Sequence, residues 1–235
     1  MKTITTPSRF ATLSSGSRKF AGLSVDLAYS RVDLQRALEL RRDVYWRKGL
    51  LRESTLKPQV LPQAYVPGSA IFIVKERDVI VGTITFYMDS PIGLPMDDVH
   101  GEEVDQMRRR FARIAEVGGL AILENRRGVG ITMMLYQATF RWAVAANTQC
   151  IVACINPSSR RVYSKLLLFE VLGGCKQHHR FLGAPSIPIG LDLATAPARY
   201  RETHGGEWDS HLHKVQWSDE VSEMIESRWV SMAGR

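Results

Sequence analysis

The side chain with the most chemical potential is a carboxylate set inside an apolar strand. Residues 111–123 read FARIAEVGGLAIL, with Glu116 between Ala115 and Val117. Burial penalises the charged form of a carboxyl group and raises its pKa. A glutamate in this setting faces solvent, pairs with a neighbour such as Arg113, or serves as an acid–base group. The Gly118-Gly119 pair that follows weakens a strand and marks a bulge or a close approach of backbone to ligand. A few residues on, Asn125-Arg126-Arg127-Gly128-Val129-Gly130 forms a glycine turn ahead of an apolar helical pattern. Backbone N–H groups and the helix dipole make such a turn a phosphate-docking point. Arg126 and Arg127 would add charge there, and Gly128 and Gly130 would allow close approach. The turn lacks the Gly-Lys-Ser/Thr ending of a P-loop and the three-glycine dinucleotide fingerprint. A tight turn carrying surface arginines is the plainer reading.

These residues need elements to hold them. Apolar spacing at Met134, Leu135, Ala138 and Trp142 predicts a helix over residues 131–146. Residues 149–155 read as a central strand. After Asn156-Pro157, residues 158–172 read as one helix that carries Tyr163, capped by Ser158 and stopped by Gly173-Gly174. Upstream, residues 24–30 suit an edge strand, and Asp33 can cap a helix that ends near Arg41, Tyr45 and Trp46. The basic, proline-containing stretch 48–67 is long for a connection and is a candidate lid or substrate loop. Residues 69–89 form a hairpin about a turn at 76–78, 90–98 a loop, and 102–110 a helix. Strands follow at 175–182 and 186–193. A final helix is expected over 219–227. The expected organisation is a flexible segment over 1–22, one domain over 23–195 and an extension over 196–235 packed on it.

Composition narrows the class. An apolar fraction of 45 % suits a soluble core, and no window of eighteen uncharged apolar residues is present. No integral membrane segment and no secretory signal are expected, which places the protein in the cytoplasm, at most peripheral to a membrane. Cys150, Cys154 and Cys175 read as free thiols rather than a disulfide frame. No metal site is expected; His204, His211, His213 and Asp209 match no ligand spacing. The net charge of +7 suits an acidic partner or an anionic substrate. Its densest patch, Arg108-Arg109-Arg110, lacks the signatures of nucleic-acid recognition, so no nucleic-acid partner is expected.

Three segments carry a resemblance: VGTITFYMDSPIGLP at 81–95, ARIAEVGGLAI at 112–122 and NPSSRRVYSKLLLFEVLGG at 156–174. Together, across residues 31–193, the chain resembles the acetyltransferase-like superfamily. It is most similar to the N-acyl amino acid synthases, distant relatives of the acyl-homoserine-lactone synthases. The superfamily turn is Gln/Arg-x-x-Gly-x-Gly/Ala; Asn125 stands at its first place, with Gly128 and Gly130 at the others. The resemblance implies an α/β fold of the acetyltransferase-like (GNAT) type, with a central mixed, mostly antiparallel sheet flanked by helices. It implies an N-acyltransferase that takes a long acyl chain from a phosphopantetheine thioester on acyl carrier protein, or less readily from coenzyme A, to the amine of an amino acid. No tightly bound cofactor is implied.

Thioester aminolysis needs a proton acceptor for the amine, and Glu116 is the first candidate. Strand backbone at Gly118 would hold the oxyanion. Tyr163 stands where the superfamily often places a general acid. Arg126, Arg127, Gly128 and Gly130 would meet the donor. Arg41, on the first helix, would clamp the acceptor carboxylate. Tyr45 and Trp46 would wall that site, and Phe86, Met133, Leu167 and Phe169 would line the acyl channel. Basic residues at 108–110, 126–127 or 160–161 would steer an acidic carrier protein. The alternatives are an acetyl-CoA-dependent N-acetyltransferase, an acyl-homoserine-lactone synthase, a Cys–His transferase through Cys154 or Cys175, and an inactive basic binding module.

Overall fold

The computed structural model describes residues 22–52, 60–127 and 129–204. In chain order the elements are β1 (Leu23–Leu27), α1 (Arg31–Arg47), β2 (Ala70–Glu76), β3 (Val79–Met88), α2 (Asp97–Arg110), β4 (Ile114–Ile122) and α3 (Val129–Ala145). They continue with β5 (Cys150–Ile155), α4 (Arg160–Lys165), β6 (Glu170–Val171), β7 (Lys176–His178), β8 (Ala184–Asp192) and α5 (Ala196–His204). The strands form one sheet in the order β1-β2-β3-β4-β5-β8-β6, with β7 also paired to β8. β4 and β5 run parallel and the other pairs antiparallel. This is the mixed, mostly antiparallel sheet the sequence implies.

Alternation along the strands sorts the core into two faces. Phe72, Val74, Ile84, Phe86, Val117, Ile151 and Ile189 face α3, whose Leu135, Ala138 and Ala143 are fully buried among them. Ile73, Ile80 and Ala121 face α1, and Tyr87, Ile114, Cys150 and Val152 face α2. The α1 cap is Ser30, whose hydroxyl accepts from Asp33 N–H at 2.9 Å; Asp33 itself pairs with Lys75 at 3.1 Å. The cap therefore falls three residues earlier than expected. α2 also starts earlier, at Asp97, and kinks at His100 (φ −124°, ψ 37°). The helix expected over 158–172 stops at Lys165. Leu167, Leu168 and Phe169 are all buried, which a helix resting one face on a core cannot achieve. The chain turns instead, with Leu168 at φ 57°, and enters β6. α5, which lines the core through Ala196 and Tyr200, was not expected as an element. Residues 1–21 and the helix expected at 219–227 lie outside the described residues.

Two irregularities of β4 shape the molecule. Against β3, Thr85 pairs with Gly118 and Thr83 with Ala121, so β4 carries one residue more than its partner. This bulge places Gly119 at φ 66°. Against β5, the ladder runs from Ile114↔Cys150 to Glu116↔Val152 and ends there. Beyond that point β4 stays with β3, β5 stays with β8, and the sheet splits.

The two bulge glycines differ in what they require. A Cβ at Gly118 would meet Glu116 Oε1 at 3.4 Å and Tyr87 at 3.5 Å, ordinary contact distances, whereas at Gly119 it would meet Arg41 Nη1 at 3.2 Å on a left-handed backbone. Gly119→Ala is expected to destabilise the fold by about 1–2 kcal/mol, the cost of left-handed backbone for a residue with a Cβ. Gly118→Ala is expected to be neutral or stabilising by up to about 1 kcal/mol. Urea unfolding of the two variants checks the contrast; equal losses would show that the bulge does not depend on Gly119.

Candidate active site

The split lies at Glu116. Its side chain is 5 % exposed, and its Oε2 accepts from Met96 N–H at 2.7 Å. Burial is the main cause that pushes the carboxyl up to about 8. The Met96 N–H and Arg180 oppose the rise, while Asp97 and Asp98 add to it. The glutamate therefore neither faces solvent nor pairs with Arg113; it is a buried acid–base group near neutrality.

A knot of ion pairs holds Met96 in place. Arg108 bonds Asp89 at 2.8 and 2.9 Å, Asp97 at 2.6 and 2.8 Å, and Asp105 at 2.9 Å. These carboxylates hold the Arg108 guanidinium firmly charged. Asp97 also accepts from Leu94 N–H at 2.6 Å, which closes the loop just ahead of Met96. Arg108 thus serves the interior of this loop. Arg110 lies over the Phe111 ring and 4.0 Å from Asp192, while Arg109 is exposed.

α1 lays Arg41 and Tyr45 along the same face. Arg41 passes over the Gly119 backbone and hydrogen-bonds Tyr87 on β3. Burial raises the Tyr87 phenol, Arg41 counters the rise, and Glu116 adds to it. Tyr45 is also raised by burial, with Arg41 lowering it and Tyr87, Tyr163 and Glu116 raising it. Its ring meets Phe181 edge-on at 5.4 Å.

Tyr163 Oη lies 2.6 Å from Tyr136 Oη on α3, and the rings meet edge-on at 5.7 Å. Burial raises the Tyr163 phenol and Tyr136 partly offsets it. Tyr163 also packs edge-on against Phe169. On the α3 face of the sheet, Val117 of β4 and Ile151 of β5 line a narrow apolar cavity with Met133, Leu167 and Phe169.

Gly118 lies against Glu116, and Arg41 reaches Gly119 and Tyr87, the residue paired with Glu116; Tyr163 meets Tyr136, and Met133, Leu167 and Phe169 line the α3-side cavity. Other expected positions lie apart. Phe86 is sealed in the core beside Val117, with no exposed surface. Trp46 is about half exposed at the end of α1. Arg126 donates to Glu76 on the hairpin at 2.8 and 2.9 Å, and Arg127 pairs with Glu124 at 3.2 Å. Gly130 sits in the first turn of α3; Gly128 lies outside the described residues.

The cysteines fit a different role from the nucleophile considered above. Cys154 lies on the Glu116 face of β5 and interacts with Ser186, which in turn is 3.0 Å from His100 Nε2. A histidine is therefore within relay distance, but burial pushes the thiol up and Glu116 pushes it further. Such a thiol is unreactive. No group of three metal-ligating side chains converges among the described residues. Nor is any described helix long and apolar enough to cross a membrane.

Residues absent from the sequence expectations are Tyr87, Tyr136, Phe181 and the Met96 N–H. Tyr87 shares the alternation of Thr85 and so could be placed on a face, but its position opposite Glu116 depends on a register that the bulge shifts.

The family model described as N-acyl amino acid synthase FeeM matches residues 36–192. No curated protein matches the sequence. Among solved structures, FeeM, an N-acyl amino acid synthase from uncultured soil microbes, is 20% identical and superposes with a TM-score of 0.67, over 75% of this chain and 94% of its own. BjaI, a CoA-dependent acyl-homoserine lactone synthase with SAM and isopentyl-CoA, is 16% identical, TM-score 0.54, over 77% and 90%. A spermidine N-acetyltransferase variant from Vibrio cholerae is 14% identical, TM-score 0.53, over 76% and 98%. These likenesses give the chain an acetyltransferase-like fold. With a family model that spans the sheet from α1 to the end of β8, the chain belongs to the FeeM family of N-acyl amino acid synthases and is an N-acyltransferase.

Proposed function

We propose that this enzyme transfers a long acyl chain from a phosphopantetheine thioester on acyl carrier protein to the amine of an amino acid. The observation that carries this reading is the buried Glu116 carboxyl at the point where β4 and β5 separate, on the same side as Arg41. The thioester carbonyl would sit in the split, with the acyl chain directed into the α3-side cavity. The acceptor would lie on the α1 side, its carboxylate on Arg41. The amine nitrogen bonds to the carbonyl carbon as Glu116 takes its proton. Backbone N–H groups of the bulge at 117–120 hold the oxyanion. The C–S bond then breaks, and the departing thiolate takes a proton from Tyr163. Burial raises the Tyr163 phenol and so keeps it protonated, with a proton available for the thiolate.

The carrier-protein donor draws support from charge. α4 begins Arg160-Arg161 and contains no acid, and both arginines are exposed beside Tyr163. Arg160→Glu/Arg161→Glu is expected to raise KM for an acyl-carrier-protein donor about tenfold while changing KM for an acyl-pantetheine donor less than about twofold. Equal effects on both donors would transfer the docking role elsewhere.

Glu116 has a pH signature. Only its ionised form accepts the proton, so kcat/KM is expected to rise with pH through an apparent pKa of about 8. Glu116→Gln should flatten that profile and lower kcat by roughly 10²–10⁴-fold. The same shift sets a stability trend. A carboxyl whose folded pKa lies above the unfolded value contributes most below pH about 4.5 and loses that contribution as pH rises through about 8. Thermal unfolding of Glu116→Gln should therefore gain on the parent as pH rises across that window. Full transfer activity in Glu116→Gln would remove the base from the mechanism.

A further inference from the structure

The α3-side cavity is lined by Val117, Ile151 and Leu167 from the sheet and the turn after α4, and by Leu191 and Tyr200. Tyr200 comes from α5, after the last strand of the sheet. Its side chain is 2 % exposed, and its hydroxyl donates a short hydrogen bond to the Leu167 carbonyl. That carbonyl precedes Leu168, whose φ of 57° is unfavourable for a leucine. The phenol thus latches a turn whose backbone would otherwise relax, and the same turn forms the cavity wall. Phe169 N–H bonds the Tyr163 carbonyl at 3.0 Å, so the latched turn also joins the helix that carries Tyr163.

The cavity as it stands holds about 20 Å³. That is room for about one water molecule, far less than any long alkyl chain. Most of the wall cannot give. Val117, Ile151 and Leu191 belong to hydrogen-bonded strands, and the α3 residues belong to a seventeen-residue helix buried against the sheet. Tyr200 lies on a nine-residue helix at the edge of the core. Its ring is the wall element whose displacement would enlarge the cavity without breaking a strand ladder.

We propose that Tyr200 is the length gate of the acyl cavity: its ring limits the cavity when latched to Leu167 and admits longer chains when it swings away. This rests on the acyl-transfer reading above. It assigns α5 a role in selecting the acyl group.

The test uses the full chain with an equimolar mixture of octanoyl, dodecanoyl and hexadecanoyl thioesters, presented on carrier protein and separately on coenzyme A. The acceptor is a mixture of the proteinogenic amino acids, and products are read by mass spectrometry. Tyr200→Ala is expected to raise the ratio of hexadecanoyl to octanoyl product by about tenfold or more, as for pocket changes of a few methylenes. Tyr200→Phe keeps the ring, loses the latch and should shift the ratio the same way by less. Tyr200→Trp should shift it toward octanoyl. A ring that only supports the fold would lower all three products by one factor and leave the ratio unmoved; that result, in folded variants with measurable turnover, overturns the gate. Tyr200→Phe and Tyr200→Trp keep the test decisive if Tyr200→Ala fails to fold. If neither the parent nor any variant transfers these chains while acetyl-CoA supports transfer, the long-chain reading itself falls, and the gate with it.

Discussion

The molecule depends on one strand losing a neighbour. An extra residue in β4 strengthens its local twist where it pairs with β3, and the ladder to β5 stops just before that bulge. β4 leaves β5 at Glu116, and each continues with a different neighbour. Backbone groups that leave a ladder need other partners. A ligand with amides along its length meets that need, and the proposed pantetheine arm is one. The same split gives its two faces different chemistry, because side chains alternate. Glu116 and Tyr87 fall on the α1–α2 side, and Val117 and Ile151 on the α3 side. A thioester in the gap would thus have a polar acceptor side and an apolar tail side with no further device.

Burial of Glu116 is tolerable because its surroundings are rigid. A lone carboxyl in this position would be expensive to ionise and free to turn away. The Met96 N–H fixes one oxygen, and the Arg108 knot fixes Met96 through Asp89 and Asp97. The guanidinium that most resembles a docking charge in the sequence is therefore spent inside. Its neighbours in the Arg108-Arg109-Arg110 run point elsewhere, since helix periodicity sends successive residues about 100° apart. With Arg108 tied up by Asp89 and Asp97, the exposed Arg160 and Arg161 are the charges proposed above to meet an acidic partner.

How much of this was legible depended on the range of the interaction. The hairpin, the helix after the glycine turn and the central strand follow from local period and turn chemistry, and they appear where the spacing puts them. Glu116 was legible because a charge in an apolar strand violates its surroundings. The failures share a cause. Leu166–Phe169 reads as helix by composition, but three consecutive buried side chains demand a turn. Asp33 reads as a cap, but Lys75, far along the chain, takes its carboxylate. Tyr136 and Tyr163 are unremarkable singly; the 2.6 Å contact exists only once α3 and α4 are folded together. Phe86 reads as a channel residue because it is large and apolar. It lies on β3, directly across from Val117 and on the same face, but one strand away from the gap and with no exposed surface.

The electrostatics bear on whether direct transfer or an acyl-enzyme better fits this cleft. Two groups near the split could take part: a carboxyl pushed up to about 8 and the Cys154 thiol, pushed far above its usual range. A carboxyl raised toward the working pH is a stronger base than an ordinary glutamate, which suits it to take a proton from an amine. The thiol has the opposite standing. To act as a nucleophile it must ionise beside Glu116, and ionisation of either group hinders the other. Whatever lowers the barrier for the amine raises it for the sulfur. On the mechanism proposed above, the burial that raises Glu116 favours aminolysis in one step over relay through Cys154.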